Sequence, residues 1–143
     1  VGITCTPESP LEKLVEIPIV LDVGPEALAG STRLKAGSAQ KIVLNMLSTA
    51  VMKQLGRIWR GEMVAMRPTN EKLKRRAARI VERLLGLTAE EADALLHASD
   101  WNLPVALLSG RWGLTAEKAR ERLDDAGGNV ARALEEAIPV KRT

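Results

Sequence analysis

IPIVLDVGPEALAGSTRLKAGSAQK, running from Ile17 to Lys41, carries the reading of the fold. Its opening run, Ile17–Val23, is almost continuously apolar, the pattern of a strand covered on both faces of an α/β sheet. Gly24–Gly37 follows as a loop rich in glycine and hydroxyl residues, and a helix is predicted from Ser38 to Trp59. Strand, loop and helix in that order put the loop beyond the carboxyl end of a strand, where open α/β sheets bind ligands. Gly30 and Gly37 let the backbone approach a ligand closely. Ser31 and Thr32 bring hydroxyls, Arg33 and Lys35 bring positive charge, and the helix start adds free N–H groups. This set suits a phosphorylated or carboxylated small molecule. It equally describes an ordinary strand-to-helix loop with hydroxyl caps and two exposed cations. Glu26 is the loop's carboxylate, readable as an acid–base group or as a partner of Arg33 or Lys35.

Working outward, Val1–Cys5 is short, apolar and β-branched, and reads as a strand parallel to Ile17–Val23. A short helical crossover around Leu11–Val15 fits between them. Cys5 is expected to be a buried strand thiol. The helix Ser38–Trp59 is apolar on more than one face, through Ile42, Val43, Leu44, Met46, Leu47, Val51 and Leu55. It is expected to be a central core helix or one shared with a second subunit. Gly61 closes that segment, and Met63–Met66 is a short strand or merely extended. Thr69 is the expected N-cap of a helix Glu71–Leu85, with Gly86 just past its end. The cations of this helix (Lys72, Lys74, Arg75, Arg76, Arg79, Arg83) read as a solvated outer face. From Gly86 onward GLTAEEA returns as GLTAEKA 27 residues later, and the punctuation predicts a bundle of three or four short helices. His97 is expected to be a partly exposed helical histidine.

The chain has 143 residues, is 45% hydrophobic and 27% charged, and has a net charge of +3, a globular composition without a strong electrostatic commitment. One Cys and one His exclude a disulfide framework, multi-Cys zinc and most Ser-His-Asp schemes. Phe and Tyr are absent, so base-stacking platforms are out of reach and no nucleic acid partner is expected. No apolar run suits a membrane span and nothing resembles an export signal, so no membrane partner and a soluble, cytoplasmic protein are expected.

The run GPEALAGSTRLKAGSAQK resembles the signature of the N-acetylmuramic acid 6-phosphate etherases and the related glucokinase regulatory proteins of the sugar isomerase (SIS) superfamily. The likeness continues through Ile42–Thr49 (IVLNMLST) and Met66–Leu73 (MRPTNEKL) into the C-terminal helices. It implies an α/β fold with a partial SIS-type parallel sheet flanked by helices, followed by a small all-α bundle. Residues 1–85 would be the second half of a phosphosugar-binding SIS domain, and residues 86–143 the bundle. The reaction implied is loss of D-lactate from the sugar 6-phosphate: proton abstraction at C2, elimination of the C3 ether, then addition of water. Ser31, Thr32, Arg33 and Lys35 match the sugar-facing loop, with Glu26 as the catalytic candidate. No metal and no cofactor are implied. In such proteins the main phosphate loop and principal catalytic carboxylates precede the segment matched here. The expected partners are thus a phosphorylated amino sugar and either a second copy, as a dimer, or a chain supplying the missing half. The alternative is a non-catalytic phosphosugar-dependent regulatory or protein-interaction module. For the interaction reading, Gly128–Leu134 (GNVARAL) resembles ubiquitin-associated bundles.

Overall fold

The computed structural model describes residues 1–136 and divides into two compact units, Val1–Val51 and Met52–Thr143. In the first, β1 (Gly2–Thr4) and β2 (Pro18–Val20) pair in parallel, with Gly2 opposite Pro18, Ile3 opposite Ile19 and Thr4 opposite Val20. The expected parallel pair is present, shorter than the apolar runs that announced it. The crossover is α1 (Pro10–Leu14), whose proline occupies the first helical position, where its missing N–H costs nothing. Gly2 is required by close approach, because a Cβ there would meet Val15 Cγ1 at 2.9 Å.

The long helix α2 spans Lys35–Gln54, starting earlier and ending earlier than expected. Its start moves because Glu26, far upstream, caps it. Its apolar side chains are not buried as a core helix requires. Ile42, Leu44 and Met46 are 59%, 56% and 65% exposed, and Ala36 alone of the helix is buried. Trp59 belongs instead to a hairpin of β3 (Ile58–Trp59) and β4 (Glu62–Met63). The Arg60-Gly61 turn has φ of 47° and 80°, the pair of positive values that matches the right-handed twist of a two-residue hairpin.

In the second unit α3 (Glu71–Leu85) is capped by Asn70, not Thr69: the Asn70 carboxamide accepts from the Leu73 N–H at 2.9 Å. Thr69 lies one residue too early for that N3 contact. Gly86 ends the helix in the left-handed region. Helices α4 (Ala89–Ala98), α5 (Leu103–Trp112), α6 (Ala116–Asp125) and α7 (Val130–Glu135) complete the bundle. Ile80 and Val81 of α3 pack with Leu96, Leu103, Leu107, Val130 and Leu134 in one buried cluster that includes Trp59 and Val64.

The GLTAE echo extends through the whole of two helical hairpins. Thr88 and Thr115 cap α4 and α6, and Asn102 and Asn129 cap α5 and α7, each pair 27 residues apart. Burial repeats with the same offset, Ala92 with Ala119, Ala106 with Ala133 and Leu107 with Leu134. Thr88 forms a full capping box with Glu91, whereas Lys118 stands at the matching place after Thr115 and only half the box survives.

Candidate functional site

Because β1 and β2 run parallel, the loops leaving them emerge at the same end of the sheet. The loop after β2 is held from within. Both oxygens of Glu26 accept backbone N–H groups at the start of α2, Oε2 from Lys35 at 2.9 Å and Oε1 from Ala36 at 3.0 Å. These bonds, Ala36 first and then Lys35, hold the Glu26 carboxyl below its ordinary value, with a smaller contribution from the Lys35 charge. A carboxylate so engaged is kept ionised and makes a poor proton acceptor. The Lys35 ammonium donates to the Val23 carbonyl at 2.8 Å, tying the helix start to the end of the strand region.

Between those anchors the chain makes tight turns: the Ser31 N–H bonds to Leu28 O at 2.9 Å, Thr32 N–H to Gly30 O at 3.0 Å, and Gly37 N–H to Thr32 O at 2.8 Å. Gly30 sits at φ 76°, which a side chain would strain. Among the described residues, the Ser31 and Thr32 hydroxyls make no hydrogen bond, and Arg33 makes no ion pair. Thr32 and Arg33 are exposed and Ser31 is half-buried. The candidate residues thus divide into two that build the loop, Glu26 and Lys35, and three whose polar groups are free to meet a ligand.

The loop after β1, broken by Pro7 and Pro10, shows no site pattern in the sequence. It brings a second hydroxyl group cluster to this end of the sheet. Thr4 Oγ1 accepts from the Thr6 N–H at 3.1 Å and from Ser9 Oγ at 3.3 Å. Glu8 sits at φ 56° with its N–H bonded to Glu12 Oε2 at 2.9 Å. The signal that would have found these residues is the parallel pairing itself, since any residue just past β1 shares the end occupied by the Gly24–Leu34 loop. Cys5 is half-buried, and its Sγ lies 3.6 Å from Ala36 O, in donor position to α2.

In the second unit, Lys72, Arg75, Arg76 and Arg79 are exposed on α3, Lys74 pairs with Glu71 at 3.1 Å and Arg83 pairs with Glu62. His97 is exposed and lies 3.6 Å from Asp93. Among the described residues no group of His, Cys, Asp and Glu converges as a metal-ligand set, and no helix is long and apolar enough to cross a membrane.

No family model matches the chain. Individual relatives do. An N-acetylmuramic acid 6-phosphate etherase 2 of Vibrio cholerae is 46% identical over 136 residues, covering 95% of this chain and 44% of the relative. The N-acetylmuramic acid 6-phosphate etherase of Salmonella typhimurium is 47% identical over 135 residues, 94% of this chain and 46% of the relative. That of Deinococcus radiodurans is 45% identical over 136 residues, 95% of this chain and 45% of the relative. The chain spans less than half the length of the curated relatives it matches.

Proposed function

We propose, from a chain that over nearly its whole length belongs with the N-acetylmuramic acid 6-phosphate etherases, that it forms the phosphosugar-holding half of such an enzyme. The observation that carries the reading is the Gly24–Leu34 loop. It lies between a parallel strand and a helix start, with the Ser31 and Thr32 hydroxyls and the Arg33 guanidinium unengaged among the described residues and Glu26 and Lys35 spent on holding it. Ser31 and Thr32 would donate to phosphate or sugar oxygens, Arg33 would pair with the phosphate, and the remaining Lys35 N–H groups would add charge. Glu26 acts by fixing the helix start from which these groups project. The D-lactyl ether is then cleaved by elimination: a base takes the C2 proton, the C3–O bond breaks, and water adds to the unsaturated sugar. That proton-moving pair would come from the remaining length seen in the relatives, not from the loop described here.

The exposed apolar residues of α2 support a need for completion, since an apolar helix face of this extent is normally covered. We infer that this cover is the other half-domain or a second copy, that the assembly works in the cytoplasm, and that residues 1–85 and 86–143 are its two functional parts. The test is calorimetric titration of N-acetylglucosamine 6-phosphate into the chain completed with the rest of a relative's etherase. Lys35→Ala and Arg33→Ala should each weaken binding about tenfold or more, as loss of a charge-assisted hydrogen bond implies. Lys72→Ala on the exposed face of α3 should leave affinity nearly unchanged. Equal affinities in Lys35→Ala and Lys72→Ala would withdraw the assignment of the loop. Tight binding of N-acetylglucosamine 6-phosphate with no lactate released when N-acetylmuramic acid 6-phosphate is supplied instead would favour the regulatory reading over the lyase.

A further inference from the structure

The two helical hairpins of the second unit are built to one plan, and they differ sharply at one place. Between α6 and α7 the chain turns through Gly127 and Gly128, at φ 63° and 74°. Between α4 and α5 the same turn is made by Asp100 and Trp101, at φ 52° and 54°. The hydrogen bonds are the same in both: Trp101 N–H to Leu96 O and Gly128 N–H to Leu123 O, Asn102 N–H to Ser99 O and Asn129 N–H to Ala126 O. Left-handed backbone suits glycine and strains a residue with a Cβ, most of all a bulky one. The preceding position departs as well. Ser99 replaces the buried Ala126, and among the described residues its buried hydroxyl has no partner. The glycine copy shows that the hairpin closes without any of these three side chains. The Trp101 ring also packs against the core, and the strain beyond what closing the turn requires points to a function.

What the strained turn achieves is the placement of one ring. Trp101, half-buried, stands at the edge of an open cavity of about 310 Å³ between α3 and α4. The Lys74 ammonium lies 5.0 Å from its ring centroid and His97 meets it edge-on at 5.0 Å. Arg75, Asp93 and Glu71 complete the polar wall. The Lys74–Glu71 and His97–Asp93 pairs hold these groups in place at 3.1 and 3.6 Å. The volume suits one monosaccharide-sized ligand, at the lower end of small-molecule sites. Lys74 and Arg75 give the lining two cationic partners for an anionic substituent, balanced in number by Glu71 and Asp93. With the Lys74 ammonium swung off the ring onto an anionic substituent, the freed indole face takes the C–H face of a pyranose, carboxylates accept from its hydroxyls, and Arg75 adds a second cation.

We propose that the Trp101 cavity is a second carbohydrate site, for an anionic pyranose, separate from the loop after β2. The choice of amino sugar as probe rests on the phosphosugar reading of that loop, while the site itself rests on the Trp101 geometry. The anionic group can be a phosphate or a sugar carboxylate, and the probes separate them: N-acetylglucosamine 6-phosphate, N-acetylmuramic acid and neutral N-acetylglucosamine. Each is titrated into the full chain while tryptophan fluorescence and heat are followed. One or both anionic sugars should change the fluorescence, with the neutral sugar at least tenfold weaker. Trp101→Gly, which recreates the turn of the second hairpin, should keep its helicity by circular dichroism and lose this binding. Lys74→Ala, which leaves the turn untouched, should weaken it about tenfold, and Asp100→Gly should raise the unfolding midpoint with affinity unchanged. Lys35→Ala should leave the fluorescence response intact. Unaltered affinity in Trp101→Gly and Lys74→Ala, or a response abolished by Lys35→Ala alone, would overturn the second site and leave the loop assignment standing.

Discussion

The two units of this chain use similar residues to opposite effect. From Met52 onward, side chains such as Leu96, Leu103, Leu107, Leu108 and Leu134 are wholly withdrawn from water. In Val1–Val51, by contrast, Leu14, Ile17, Ile42, Leu44 and Met46 remain more than half exposed. The difference does not lie in hydrophobic content but in what the secondary structure can close around. Short helices with capped ends and tight turns fold back on one another, and every apolar stripe finds a partner. A parallel pair needs further strands and covering helices before its apolar residues are out of water. One unit is therefore a self-contained core, and the other keeps much of its apolar surface in water.

That contrast can be broken most forcefully in the core. Leu107→Ala should cost about 2–5 kcal/mol, the range for a leucine removed from a packed interior, whereas Ile42→Ala on α2 should cost less than ~0.5 kcal/mol. Urea unfolding of the two variants gives the comparison, and a large loss for Ile42→Ala would show that α2 is covered in solution. A smaller effect is expected at the caps. Asn129→Ala removes the acceptor for the Arg132 N–H and should lower stability by about 1 kcal/mol, read as a drop in melting temperature.

The smallest effect is the acid response of α2. The Glu26 carboxyl is held low in the folded chain, so its stabilisation is fully present above the ordinary glutamate value of ~4.3 and is lost as pH falls through the depressed folded value. Hydrogen exchange at the Lys35 and Ala36 amides should therefore show weakening protection at acid pH beyond the intrinsic rate change. Glu26→Gln should remove that pH dependence, and a wild-type response equal to that of the variant would place the cap elsewhere.

The parallel pair was legible because a nearly unbroken apolar run with β-branched residues has few other uses, and the bundle because its caps and glycines recur at close spacing. Less visible were features that depend on distant partners. Ser38 looked like the helix start because the real cap reaches Lys35 and Ala36 from Glu26, across a loop that no local pattern spans. Trp59 looked helical because the apolar pattern runs on past Gly56, whose left-handed φ of 69° ends α2 with the Arg57 N–H bonded back to Met52 O. Periodicity correctly marked α2 as a helix wanting burial, but periodicity does not say what buries it. In the loop after β2 the residue types were readable from sequence. The division between those that hold it and those left free needed the hydrogen bonds. The Trp101 cavity escaped because its meaning appears only when the two hairpins are laid over each other.

Gly56 and Trp59 sit near the beginning of the second unit, and both are secured by its last helix. A Cβ on Gly56 would collide with Asn129 Oδ1, the Gly56 carbonyl accepts from Ala131 N–H at 3.0 Å, and Trp59 Nε1 donates to Glu135, 76 positions on. Arg111 and Arg122 fasten that helix from the other side through the Leu134 and Ala133 carbonyls. On a ribosome adding about 5–20 residues per second, the hairpin waits roughly 4–15 s for its partner to be made. Until then the Trp59 indole N–H and the Gly56 carbonyl lack their α7 partners. The bundle thus links the earliest part of its chain to its latest helix, and a chain ended before α7 is expected to unfold at lower urea than the whole second unit, because Trp59 and Gly56 lose the partners that hold them.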